Sequence, residues 1–221
     1  MKLSEMIRAV QEEIGVEADG LAGPQTWGEL YRRRKQLASW EGEAPAEPVG
    51  TPGSAGASPS HAALSDISAV DARSEKAIQT LLPEVRPYAR ALVHLAADEG
   101  VKLIVTSGTR TYAEQDALYA QGRTAPGMRV TNAAGGQSNH NFGIAFDVTV
   151  FYGDAPVYEG AVYKAIGAWG KSIGLSWGGD WRTFQDEPHF ELRPAWAKDQ
   201  DEAVMLAGLR SRHDNHQPIF A

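Results

Sequence analysis

The residue types able to carry out hydrolytic chemistry cluster in two short stretches, SNHNFGIAFDV from Ser138 to Val148 and DEPHFEL from Asp186 to Leu192. In the first, His140 and Asp147 stand seven positions apart. On an ideal strand that odd spacing would put them on opposite faces, but Gly143 permits a bend that brings the histidine back over the aspartate. Asp147 lies among Ile144, Ala145, Phe146, Val148 and Val150, and a carboxylate in so apolar a strand needs a cation, a metal or several hydrogen bonds. His189 offers a third donor, so His140, Asp147 and His189 would form a His, Asp, His set with an open fourth position for water, as in a catalytic zinc site. Taken singly, His140 reads as a hydrogen-bonded loop histidine and His189 as a satisfied strand residue; the set is what points to a metal. The chain has no cysteine, so any metal must be held by His, Asp or Glu and no disulfide can form.

The elements that must position these groups follow from periodicity and punctuation. Ser74 to Asp98 reads as a helix interrupted near Pro83 and Pro87, with Leu92, Val93 and Leu95 as core positions and Gly100 at its end. Strands are predicted over Val101–Gly108, Phe142–Phe151 and Pro188–Leu192, and helices over Tyr112–Gln121 and Val162–Ile173. Strands separated by unequal helical insertions, without steady alternation, predict an α+β fold with a small, mostly antiparallel sheet and flanking helices.

Four segments are expected: a small all-α unit at 1–40, a flexible linker at 41–65, the chemistry-bearing domain at 66–198 and a C-terminal tail at 199–221. The linker reads EGEAPAEPVGTPGSAGASPS from Glu41 to Ser60, too poor in large apolar residues to offset its chain entropy. The tail contains RHDNHQ and is expected to be disordered, which argues against metal binding by His213 and His216. His94 falls on an apolar helix face and reads as a core or edge residue.

The 221 residues carry a formal net charge of −7, which opposes general nucleic-acid binding because phosphate contacts need clustered Lys and Arg. The basic run Arg32 to Lys35 suits the C-terminal turn of a helix instead. Nowhere is there an apolar run long enough to cross a bilayer, so no membrane insertion is expected. The acidic, amphipathic start MKLSEMIRAVQEEIG lacks the apolar region of a secretion signal, so a protein made in the cytoplasm and delivered outward by release or another export route is expected. A monomer is expected.

Two resemblances extend this reading. VQEEIGVEADGLAGPQTWGEL, Val10 to Leu30, resembles the repeat of peptidoglycan-binding-like helical domains, though those carry three helices and this copy is shorter. The alternative is that Trp27 and its apolar neighbours only form a mini-core. SNHNFGIAFD, Ser138 to Asp147, resembles the SxHxxGxAxD motif of the zinc D-Ala-D-Ala and L-Ala-D-Glu peptidases that cut peptidoglycan stem peptides. DEPHF is similar to their acid-x-x-His motif, and TSGTRTYAEQDALYAQGR, Thr106 to Arg123, to their SGxRTxxEQ segment. This likeness runs from about Leu82 to Trp196 and implies zinc held by His140, Asp147 and His189.

Amide hydrolysis at such a site needs a general base. Strand alternation would favour Glu187, which shares a face with His189, but Pro188 makes regular pairing doubtful there. The family's acid lies three residues before its last ligand, which implies Asp186. Arg110 is similarly implied as the cation at the substrate carbonyl, the alternative being a salt bridge with Glu114. Ser138 is implied near the substrate, against a loop-capping hydroxyl, and Gln115 is a weaker substrate contact. Trp177 and Trp181 flank the glycines of WGGDW, where cleft wall and buried packing are both expected, with Trp181 taken as the substrate-side residue.

The function expected is zinc-dependent L-alanyl-D-glutamate endopeptidase action on peptidoglycan, of an endolysin-like kind, with D-alanyl-D-alanine carboxypeptidase as the runner-up. A non-catalytic wall-binding protein is the alternative of a different class, and a regulatory or morphogenesis protein a third. The complete set of ligands with Asp186 and Arg110 argues against the non-catalytic reading.

Overall fold

A computed structural model describes residues 67–152, 155–157, 160–182 and 184–221, together with residues 8, 9, 11–13, 15 and 18. The linker expected at 41–65 and most of the helical unit at 1–40 lie outside the described residues; Arg8, Ala9, Gln11, Glu12 and Glu13 are helical. Residues 57–159 and 163–221 make the larger of two compact units, and residues 1–56 with 160–162 the smaller.

Helix α1, Ala72–Ile78, starts at Asp71, whose carboxylate accepts from the Arg73 and Ser74 amides. The two prolines split the expected helix, and Pro87 opens α2, Arg86–Asp98. Leu92 and Val93 are buried, while Leu95 stays half-exposed because it falls off the inward face. Ser74 Oγ accepts from the Val105 amide at 2.9 Å and so ties α1 to strand β1, Lys102–Ser107. Helix α3, Tyr112–Ala120, begins in a capping box between Thr111 and Glu114. Helix α4 spans Ala161–Ser172.

Strands β1, β2 (Ala145–Tyr152), β3 (Ala155–Val157), β4 (Ser176–Trp177) and β5 (His189–Glu191) form an antiparallel sheet ordered β1-β2-β5-β4, with β3 also on β2. The fold is α+β, as the pattern of elements predicts. Its core side is lined by Val105, Phe146, Val148, Val150 and Phe190 with Ile78, Leu92 and Ile166, all buried.

Two expectations need correction. Strand β2 begins at Ala145 rather than Phe142, because Asn139–Phe142 form a 3-10 turn that ends at Gly143 with φ of +70°. A Cβ on Gly143 would also press on Leu82 Cγ at 3.0 Å, so glycine is favoured there on two counts. The C-terminal segment, expected to be disordered, instead forms helix α5, Glu202–Asp214. Met205 and Leu209, in the short apolar stretch AVMLAGL from Ala203 to Leu209, are both fully buried with Phe142, Ile144 and Ala197. His213 stacks on Tyr112 with ring centroids 5.2 Å apart, which is packing and not ligation.

Candidate metal centre and active site

Strand parity builds half of the centre. In the β2–β5 register Phe146 faces Phe190 and Asp147 faces His189. The two phenylalanine rings stack on the core side, which turns Asp147 and His189 to the opposite face. His140 arrives from the 3-10 turn, and the left-handed Gly143 behind it swings the loop over the start of β2. The bend expected from the sequence is this turn.

The three donors converge. His140 Nε2 lies 3.1 Å from Asp147 Oδ1 and 3.3 Å from His189 Nδ1, while His189 Nδ1 is 3.3 Å from Asp147 Oδ1. Together they form a group whose geometry could hold a metal ion. The rear nitrogen of each ring is engaged: His140 Nδ1 with the Gly108 carbonyl at 2.8 Å, and His189 Nε2 with Glu191 Oε2 at 3.4 Å. With an N–H donated backward, each ring in its neutral form would present a lone pair toward Asp147, as a metal ligand must. Both histidines are buried, whereas the Asp147 side chain keeps 24% of its surface, so the set opens to solvent on one side.

Charge points the same way. Burial alone would raise the Asp147 carboxyl, but His140 and His189 hold it well below the usual carboxylate range. Burial likewise opposes the charged form of His189, yet its contacts with Asp147 and Glu191 push it up to about 10. Arg110 and Arg193 offset only part of the charge of Asp147, Asp186, Glu191 and Glu202 around the centre. Three convergent nitrogen and carboxylate donors in a field of excess negative charge fit a divalent ion such as zinc, which would replace the proton that Asp147 and Glu191 favour on His189.

Asp186 is brought to this centre by the WGGDW turn. Its amide donates to the Gly178 carbonyl at 3.1 Å, and its own carbonyl accepts from the His189 amide at 3.1 Å. A Cβ on Gly178 would meet the Asp186 carbonyl oxygen at 2.5 Å and His189 Cβ at 3.0 Å, so this approach needs glycine. Burial and then the Asp147 charge raise the Asp186 carboxyl, with His189, His140 and Arg110 opposing. Glu187 offers its carbonyl to Trp177 Nε1 at 2.7 Å, packing the buried Trp177 beneath the turn. Trp181 lies over His189, ring centroids 4.9 Å apart, and remains partly exposed.

Arg110 Nη2 stands 3.9 Å from Asp147 Oδ2, and its buried Nε has no hydrogen-bond partner among the described residues. Glu114 is occupied by the Thr111 cap, so the alternative pairing does not dominate. Ser138 precedes the 3-10 turn without capping it through its hydroxyl. Gln115 is almost wholly buried, donating to the Ala133 carbonyl at 2.8 Å and to Thr131 Oγ1 at 3.3 Å.

Residues 131–192 match the D-alanyl-D-alanine carboxypeptidase family. Over 124 residues the chain is 40% identical to peptidoglycan L-alanyl-D-glutamate endopeptidase CwlK of Bacillus subtilis, covering 52% of this chain and 74% of that protein. The chain belongs to this peptidoglycan peptidase family. The L-alanyl-D-glutamate peptidase of Listeria phage A118 is 29% identical to the peptidase over 123 residues, 54% of this chain and 41% of the phage protein. Among solved structures, the Serratia marcescens L-Ala D-Glu endopeptidase ChiX superposes with a TM-score of 0.45 at 24% identity, over 57% of this chain and 91% of that one.

The peptidase also has a polar network behind its centre that the sequence reading passed over, running from the buried Asn139 and Glu191 through Arg193 to the exposed Glu202. Two signals were available. Glu191 is two positions from His189 and therefore on its face of β5, and Asn139 adjoins His140. Glu202 carried no such signal, since its place depends on α5. Among the described residues no helix is long and apolar enough to cross a membrane.

Proposed function

We propose that this peptidase hydrolyses the L-alanyl-D-glutamate bond of peptidoglycan stem peptides with a zinc ion held by His140, Asp147 and His189. The convergence of those three donors beside Asp186, a carboxyl made more basic by its surroundings, carries the reading. Bound zinc would supply polarisation of the scissile carbonyl and a water acidic enough to attack near neutral pH. Asp186 is the base that would take a proton from the attacking water as the water oxygen bonds to the carbonyl carbon, and would then deliver it to the amide nitrogen as the C–N bond breaks. Arg110, whose Nη2 stands beside Asp147 on a partly exposed side chain, offers its guanidinium to the carbonyl oxygen as negative charge gathers there.

Ser138 and Trp181 would contact the substrate, a reading supported by a Ser138 hydroxyl uncommitted to the turn and a partly exposed Trp181 ring beside His189. Gln115 acts differently from a direct contact: its buried amide fixes the Thr131–Ala133 segment. The N-terminal unit serves as a wall-targeting module on the 41–65 tether, raising local enzyme concentration on an insoluble polymer. The protein acts as a monomer without nucleic acid, delivered to the wall by release or export.

The second reading is D-alanyl-D-alanine carboxypeptidase, favoured by the description of the family that residues 131–192 match. Mass spectrometry of products from defined muropeptides separates the two. A new N-terminal D-Glu identifies the endopeptidase, and free D-Ala the carboxypeptidase. No cleavage of purified murein, or full activity after exhaustive chelation, refutes the zinc peptidase.

A further inference from the structure

We propose that Glu191 is a positioning residue for the metal site, held by a clamp of Asn139, Arg193 and Glu202 that ties both histidine ligands to α5. The inference rests on the zinc reading above and concerns how the chain holds its ligands in place.

Glu191 is 2% exposed. Its Oε2 accepts from Asn139 Nδ2 and lies 3.4 Å from His189 Nε2, and its Oε1 accepts from Arg193 Nε at 3.0 Å. The remaining donors of Asn139 and Arg193 close the ring on α5: Asn139 Nδ2 reaches Glu202 Oε1 at 2.7 Å, and Arg193 Nη2 reaches Glu202 Oε2 at 2.7 Å. Four side chains from the 3-10 turn, β5 with its C-terminal extension, and α5 thus share one closed network. Among the described residues Asn139 Oδ1 is buried with no partner, so its amide is oriented by the two carboxylates it serves.

Such a network is a poor way to gain stability alone. A buried carboxylate must recover a large desolvation cost, and well-packed apolar side chains often do as well or better. Its direction supplies the reason for it. Strand parity puts Glu191 on the face of His189, behind the ring and opposite Nδ1, the nitrogen that meets Asp147. A carboxylate there fixes the ring plane, selects the tautomer that frees Nδ1, and makes that nitrogen a stronger donor. Asn139, adjoining His140, carries the same restraint to the other histidine, whose rear nitrogen already meets the Gly108 carbonyl.

Zinc affinity of the full-length chain, titrated against a chromophoric chelator, tests this independently of turnover. Glu191→Gln keeps the shape and removes the charge, and is expected to weaken zinc binding by about 10- to 100-fold and to speed zinc release. A lowered unfolding midpoint with wild-type zinc affinity would mean a merely structural role and overturns the inference. If Glu191→Gln does not fold, Glu202→Gln at the more exposed end of the clamp takes its place: weaker zinc binding supports the clamp, and unchanged binding overturns it. Wild type and His189→Ala are measured alongside. Should wild type take up no zinc, or His189→Ala take up as much as wild type, the zinc reading itself fails, an outcome distinct from failure of the clamp.

Discussion

Asp147 and His189 are direct cross-strand partners on β2 and β5, with Oδ1 and Nδ1 3.3 Å apart. The pairing makes two of the three donors a property of sheet register, so a one-residue slip of β5 would turn His189 into the core and Phe190 outward. The Phe146–Phe190 stack on the core face opposes that slip. Apolar packing on one side of the sheet thereby sets the chemistry on the other.

Asp186→Ala is expected to keep its zinc and lose turnover by about 10²- to 10⁴-fold, the usual contribution of a positioned base. Zinc content by elemental analysis, with muropeptide cleavage rates on the same sample, checks both halves. Full activity in the variant would remove Asp186 from the mechanism.

Gly178→Ala tests how closely the WGGDW turn must approach the acid. The new Cβ would sit 2.5 Å from the Asp186 carbonyl oxygen, so the segment has to shift. A displacement on the order of 1 Å at the base is expected to lower kcat/KM by about 10²-fold. An unchanged rate would show that the turn yields without moving the carboxyl.

Leu209→Ala asks whether the C-terminal helix belongs to the folded unit. Leu209 is fully buried among Phe142, Ile144 and Met205, and truncating it is expected to destabilise the domain by about 2–5 kcal/mol. Urea unfolding followed by tryptophan fluorescence measures this. A loss under about 0.5 kcal/mol, as for a surface site, would contradict the packing.

The Glu75–Arg90 ion pair predicts an acid-dependent stability. Hydrogen bonding to Arg90 at 2.8 Å leads the effects that bring the Glu75 carboxyl from its ordinary 4.5 down to about 2. A depressed folded-state value means that the contribution is complete above the unfolded value of 4.5 and fades as pH falls toward about 2. After allowance for solvent screening it is worth about 1–2 kcal/mol. Denaturant unfolding of wild type and Glu75→Gln should differ by that amount at pH 6 and converge near pH 2, and a constant difference across the range would exclude the linkage.

Much of this was legible because the signals were local. His140, Gly143 and Asp147 lie within one short stretch, and apolar patterning with Gly and Pro punctuation located β1, β2, α2 and α3 to within a few residues. Asp186 was a harder case: alternation pointed to Glu187, and only the turn at Gly178 shows why the earlier residue faces the centre. The clamp and α5 were illegible for another reason. The apolar stretch Ala203 to Leu209 spans only two helical turns before the polar RSRHDNHQ, too short to announce which surface it packs on, and Glu202 gains its meaning only when α5 packs beside Asn139. Long-range packing writes no period into the sequence.

The spacing of the ligands also has a mechanical meaning. His140 and Asp147 enclose a short bend, but Asp147 and His189 are 42 positions apart in a chain without a single cysteine. An ion gripping both would act as a removable cross-link over that loop. By the chain-entropy argument used for disulfides, a tie of this length restricts the unfolded ensemble by up to about 4 kcal/mol. The metal would then be a structural fastener as well as a reagent, and one that a chelator can undo where no reductant could.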